Sequence, residues 1–195
     1  MAMELLAFER LLVVNMVDHA IDQSRLRPMT AADLSDVLAL RNHAEVRRYM
    51  LTQHEISAEE HRSWFDRASE NMKVELLVWE IGGRCCGFVQ FKESNYRGVA
   101  DWGFYVAPDA PKGSGRKLGF AALTHAFQKD GLYKICGQAL RWNVPSIEFH
   151  KSLGFVQEGI LRDQHFDGTK YHNLIYFGML KRDWITKLLL KGINK

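Results

Sequence analysis

Between Pro108 and Gly119 the chain has to end a strand, turn through Gly113 and Gly115, and start a helix. Gly98–Val106 reads as the strand, stopped by Pro108 and Pro111, and hydrophobic residues return at helical spacing over Leu118–Phe127. Glycines at such a turn let backbone N–H groups converge on one point, and the positive end of the helix dipole favours negative charge there. Lys112, Arg116 and Lys117 surround the same turn with three cations, and Ser114 lies within it. The turn is therefore a candidate anion cradle. It is not a Walker loop, because no Gly-Lys-Ser/Thr closes it, and it is not a dinucleotide fingerprint, because it follows an antiparallel stretch late in the sheet. By itself it fits a glycine-rich surface loop with solvated lysines about as well as a pyrophosphate site.

The rest of the chain surrounds this turn with a regular alternation of elements. Ser24–Met29 reads as a first strand, and Thr30 with Asp33 forms a capping-box pattern ahead of the apolar positions Leu34, Val37, Leu38 and Leu40. Ser57 with Glu60 starts a second helix carrying Trp64 and Phe65. Val74–Ile81 and Arg84–Lys92 flank Gly82-Gly83, a hairpin signal. Tyr133–Leu140 reads as a strand, followed by a helix that Asn143 caps, with Pro145 in its first turn. Gly159–Phe166 and Tyr171–Leu180 close a hairpin around Asp167-Gly168. The expected fold is α/β: a mixed, mostly antiparallel twisted sheet with helices on both faces.

At 195 residues there is room for one sizeable domain. We divide the chain into a helical extension over 1–23, a domain over 24–184 and a basic tail over 185–195. The extension either packs on the domain or reflects a misassigned start. A net charge of +3, from 26 basic and 23 acidic residues with no long basic run, argues against nucleic acid. The apolar run Leu11–Met16 is too short to span a bilayer, so no membrane role is expected. Cys85, Cys86 and Cys136 match neither a disulfide framework nor a metal site and read as reduced, buried thiols of a cytoplasmic protein.

Asn143–Phe155, N-V-P-S-I-E-F-H-K-S-L-G-F, follows its strand directly. Taken with the glycine-rich turn, it resembles the Gcn5-related N-acetyltransferase (GNAT) superfamily over roughly Ser24–Trp184. The resemblance implies acetyl-CoA as cofactor. Lys112, Gly113, Ser114, Gly115, Arg116 and Lys117 would hold its pyrophosphate, and the helix from Asn143 would flank the pantetheine and thiol. Two positions depart from the pattern: Lys117 stands at the last Gly/Ala, and His150 stands where tyrosine is frequent.

A second set of residues lies in the early helices: Arg41-Asn42-His43, Glu45-Val46-Arg47, Met50, His54–Ser57, Glu60-His61 and Trp64-Phe65, extended by Trp102–Tyr105 and Glu158-Gly159. This set is similar to the acetyltransferases of the pseudaminic acid pathway, which act on the 4-amino group of a UDP-4-amino-4,6-dideoxy sugar. The resemblance implies a nucleotide-sugar substrate near Arg41, His61, Lys92 and Tyr105. Arg41 either meets the last carbonyls of its helix or forks onto a diphosphate. Trp64 is more often core, whereas Lys92 is either a solvated charge or a second diphosphate contact.

Acyl transfer from a thioester to an amine needs a neutral nucleophile, stabilisation of the developing oxyanion and a proton for the thiolate. A sugar amine titrating near ~8 supplies free base at neutral pH, so a strong protein base is optional; Gln90 is a candidate relay. The resemblance implies that the N–H near Val106 polarises the thioester carbonyl. His150 is the candidate group nearest the sulfur, as acid or as lining. Transfer is expected to be direct, without a covalent enzyme intermediate. Competing readings are an N-terminal acetyltransferase of the ribosomal-protein type and a non-catalytic acyl-CoA-binding module. A polyamine acetyltransferase is weaker, because no acidic cluster stands out. A homodimer paired through edge strands is compatible with the fold.

Overall fold

The structure, a computed structural model, describes residues 23–193. The expected helical extension over 1–23 therefore lies outside the described residues except for Gln23. Among the described residues, seven strands form one sheet in the order β1-β2-β3-β4-β5-β7-β6. They are β1 (Ser24–Pro28), β2 (Val74–Ile81), β3 (Arg84–Glu93), β4 (Val99–Val106), β5 (Lys134–Leu140), β6 (Val156–Phe166) and β7 (Tyr171–Leu180). Every neighbouring pair is antiparallel except β4 with β5. The expected α/β architecture is the observed one.

Helices cover both faces because the strands of the sheet's first half bury alternate side chains on opposite sides. On one face α4 (Ser114–Gln128), α5 (Val144–Leu153) and α6 (Lys181–Ile193) cover a core containing Leu77, Trp79, Val89, Phe91, Trp102, Leu118, Phe127 and Phe177. On the other face α1 (Leu34–Asn42) and α3 (Ala58–Ser69) cover a smaller core of Leu34, Val37, Val78, Cys85 and Phe88, with Trp64, Phe65 and Tyr105 packed against it. A short α2 (Ala44–Arg47) links α1 to the loop before α3. Each fully buried leucine here contributes about 1.5–3 kcal/mol relative to exposure.

The local signals act as read. Gly82 and Gly83 take φ 56° and 84°, the left-handed conformations that close a two-residue hairpin. Ser57 Oγ accepts from the Glu60 N–H at 3.1 Å, while the Glu60 carboxylate turns to His54 instead of reaching back. The segment set apart as a basic tail after Trp184 is helical, part of α6, and packs on the domain. Trp184 and Leu188 are buried, and Lys187 Nζ donates to the Ser152 carbonyl at 2.9 Å. Its apolar face is what keeps it on the domain.

One buried charge network ties β1 to the substrate-side helices. Arg27 donates to both oxygens of Asp33, at 2.7 and 2.9 Å, and to Glu80 at 2.8 Å. Asp33 also accepts from the N–H and hydroxyl of Thr30, completing the cap. The Arg27 hydrogen bond is the main cause holding the Asp33 carboxyl down at about 2. Because the folded value is depressed, the stabilisation is complete above the unfolded value of ~3.9 and lost as pH falls toward about 2. Asp33→Asn should cost about 2 kcal/mol at neutral pH and remove part of the acid dependence below pH ~4, read by denaturant melts at several pH values.

Candidate active site

β4 and β5 pair only from Val99–Asp101 to Lys134–Cys136. Beyond that point the strands separate, β4 running on to Val106 and β5 to Leu140, so the sheet opens into a wedge-shaped gap. The Ala107 N–H donates to Cys86 O of β3 at 2.9 Å. By strand alternation, the main-chain groups of Val106, Phe104 and Trp102 then face away from β3 and into the gap. An extended ligand bearing amides can pair with them as a missing strand would.

The glycine-rich turn stands at the open end. Gly113 caps α4 in the left-handed region, φ 91°. A side chain on Gly115 would touch Val106 and Phe149 at ordinary contact distance, so the turn, the end of β4 and α5 converge. Ser114 is buried and donates through Oγ to the Pro111 carbonyl at 2.6 Å, shaping the turn with its hydroxyl. The Gly115 and Arg116 N–H groups belong to the first turn, which a helix leaves without its own carbonyl partners. Lys112, Arg116 and Lys117 are exposed around them. Asn143 Oδ1 accepts from the Ser146 N–H at 3.1 Å, so this side chain caps α5. A phosphate-bearing, amide-containing acyl carrier fits the whole arrangement.

His150 lies inside the wedge and is 1% exposed. Trp102 Nε1–H donates to its Nε2 at 3.1 Å. The ring proton therefore sits on Nδ1, which donates to the Ser146 carbonyl at 2.7 Å. Burial pushes the imidazole down to about 4, so it is neutral at physiological pH. It stacks on Phe177 with ring centroids 4.7 Å apart, while Trp102 packs against Phe104 and Phe155. The sequence did not single out Trp102 or Gly137 as parts of this lock. Both become visible only when β4, β5 and α5 meet.

The opposite face of the sheet holds a cavity of about 350 Å³ lined by Arg41, Thr52, Ile56, Glu60, His61, Trp64, Arg67, Phe88, Gln90 and Tyr105. Four candidate residues, Arg41, His61, Gln90 and Tyr105, thus come together. Rings from three elements form its wall: His61 stacks on Trp64 at 5.0 Å, Trp64 meets the edge of Phe88 at 5.8 Å, and Phe88 stacks on Tyr105 at 5.1 Å. Arg41 Nη2 donates to Thr52 O at 2.6 Å, whereas its Nη1 is buried with no partner among the described residues. Burial lowers the Arg41 pKa, and burial followed by the Arg41 charge lowers that of His61. Asn42 fixes the intervening loop through Ile56, accepting from its N–H and donating to its carbonyl.

Lys92 is not among the lining residues; it is exposed and paired across β3–β4 with Asp101. Arg67 was missed, although Glu60, Trp64 and Arg67 follow the i, i+4, i+7 spacing of one helix face. Cys85, Cys86 and Cys136 are buried and free, and burial raises the Cys85 thiol to about 11, which makes it a poor nucleophile. Among the described residues no cluster of His, Cys, Asp and Glu could hold a metal ion, and no helix is long and apolar enough to cross a membrane.

Residues 24–156 match the sequence model of the acetyltransferase (GNAT) domain. The chain belongs to the GNAT acetyltransferases. It is an acetyl-CoA-dependent N-acetyltransferase. Its relatives include an uncharacterized N-acetyltransferase from the SPbeta prophage of Bacillus subtilis, 27% identical over 66% of this chain and 73% of the relative. A spermidine N(1)-acetyltransferase of Vibrio cholerae is 24% identical over 85% of this chain and 97% of its own length. The crystal structure of the Vibrio cholerae spermidine enzyme with CoA and spermine superposes with a TM-score of 0.75, at 24% identity, over 84% of this chain and 98% of that one. This GNAT member thus shares the fold of that spermidine enzyme.

Proposed function

We propose that this N-acetyltransferase acts in the cytoplasm on the 4-amino group of a UDP-4-amino-4,6-dideoxy sugar, in the pathway that makes pseudaminic acid. The observation that carries the reading is Arg41, whose Nη1 is buried with no partner among the described residues, at a cavity also lined by Arg67. An unpaired guanidinium nitrogen calls for an acceptor oxygen, and a diphosphate offers several in the geometry that arginine forks onto. The aromatic wall of Trp64, Phe88 and Tyr105 suits a flat base or a sugar face. A polyamine is disfavoured by the same lining, where two arginines face one glutamate, itself bonded to His54.

Acetyl-CoA supplies the activated acyl group. The first-turn N–H groups of α4, with Lys112, Arg116 and Lys117, bind its phosphates, and the main chain of β4 up to Val106 aligns the rest. The Val106 N–H is assigned to the thioester carbonyl, where one preorganised donor contributes about 3 kcal/mol. Gln90 orients the amine. His150 is a positioning residue: its one proton is committed to Ser146 and its lone pair to Trp102, so it holds the wedge open and leaves the thiolate to be protonated by the reacting amine.

The test is release of free CoA thiol from acetyl-CoA with a UDP-4-amino sugar, spermidine and ribosomal-protein N-terminal peptides as acceptors. We expect kcat/KM for the sugar to exceed the others by roughly 100-fold. A preference for spermidine or for a peptide would replace the assignment, and acetyl-CoA binding without transfer to any amine would favour a binding module.

A further inference from the structure

We propose that Lys187, on the C-terminal helix α6, binds the 3′-phosphate of coenzyme A together with Arg116. The proposal rests on the acetyl-CoA dependence of the family and on neither the acceptor nor the chemical step. The helix that carries Lys187 follows the last strand and lies outside residues 24–156, which match the family.

Three contacts bring α6 to the start of α4. Phe120 of α4 packs against Trp184 of α6 with ring centroids 5.1 Å apart. Arg116 lies one turn before Phe120, and Lys187 one turn after Trp184, so each flanks that ring pair on its own helix. Lys187 Nζ donates to Ser152 O at 2.9 Å, and a side chain built on Gly154 would meet it at 3.2 Å. The ammonium is thus held at the end of α5. That end abuts α4, because a side chain built on Gly119 would run into Leu153 at 2.8 Å. Lys187 therefore stands where three helices converge, beside the first turn of α4.

The charge at this point is unbalanced. Burial first, and the Arg116 charge second, lower the Lys187 pKa, so the two cations act on one another. Among the described residues no carboxylate forms an ion pair with either of them. An ammonium has three donors, and Ser152 O takes one from Lys187. Two like charges beside a helix N-terminus raise the local potential, and an anion entering there relieves it.

Coenzyme A carries a diphosphate and, on its ribose, a phosphomonoester. The first-turn N–H groups of α4 suit the diphosphate, since Gly115 there faces Val106 and Phe149 on the wedge side. Arg116 and Phe120 form the neighbouring strip of α4, which faces α6. The phosphomonoester carries about −1.5 to −2 charges at pH 7 and accepts from ammonium and guanidinium groups alike. An exposed arginine and a half-buried lysine on that strip match it.

Isothermal titration of the full chain with CoA and with 3′-dephospho-CoA tests the assignment without turnover. Wild type should bind CoA roughly 30-fold more tightly than 3′-dephospho-CoA. Lys187→Met should cut that ratio to about threefold by weakening CoA alone, and Lys187→Arg should keep most of it. Arg116→Met should lower the ratio as well. If Lys187 only caps α5, Lys187→Met would lower the melting temperature and leave the ratio unchanged. A second measurement needs no variant. In wild type, CoA should protect Lys187 from an amine-reactive reagent read by mass spectrometry, and 3′-dephospho-CoA at matched saturation should not. A wild-type ratio near one, an unchanged ratio in Lys187→Met, or equal protection by both ligands would overturn the assignment.

Discussion

Gly137→Ala should destabilise the protein by about 2–3 kcal/mol and abolish most acetyl transfer, although it adds a single methyl group. The added carbon would overlap His150 Nε2 and lie 2.7 Å from Trp102 Nε1. Neither neighbour can yield cheaply. The His150 ring is held by Ser146 O and by Trp102, and it lies flat on Phe177 with an interplanar angle of 7°. Trp102 is held in turn by Phe91, Phe104, Phe149 and Phe155. Relief therefore requires moving β5 relative to α5, which closes or skews the gap that admits the acyl donor. For a chain of this length the melting temperature should fall by roughly 5–10 °C, and acetyl-CoA should no longer protect against thermal unfolding. A variant with wild-type melting and turnover would mean that the His150–Trp102 lock does not define the wedge.

Arg41→Met should raise the KM of the nucleotide sugar by about 100-fold and leave the KM of acetyl-CoA within about twofold. A hydrogen bond to a charged group contributes about 1.5–3 kcal/mol, and each 1.4 kcal/mol is a factor of ten. Arg41→Lys should restore little, since an ammonium cannot reproduce the fork that bonds Thr52 O with one nitrogen and offers the other to the ligand. The variants should stay folded, because the loop they border remains fixed by the paired bonds between Asn42 and Ile56. Steady-state kinetics with each substrate varied in turn checks the split. An equal rise in both constants, or none, would remove Arg41 from the acceptor site.

Much of the candidate site was legible before any coordinates. Gly113, Gly115 and the Asn143–Phe155 helix carry their meaning in sequence, because a left-handed turn and an Asn cap are local requirements of the backbone. Arg41, His61, Gln90 and Tyr105 were also named, and they line one cavity. Lys92 was named with them but belongs beside Asp101, two residues along β3 from Gln90. Its spacing put it on the same sheet face without saying how far the cavity extends. His150 illustrates the opposite limit: residue type suggests a titrating group, while its environment makes it a neutral, doubly bonded one.

The sequence by itself determined the order of the main elements, the caps and hairpins, and a glycine-rich turn as a candidate anion cradle. These follow from period, φ preference and capping chemistry over a few residues. Only the tertiary structure decided where β4 and β5 part, which rings fill the wedge and why Gly137 tolerates no side chain. Those facts depend on strands paired across more than thirty residues of chain and on a helix packed over them. Local patterning carries no information about a gap, because a gap is a pairing that two strands do not make.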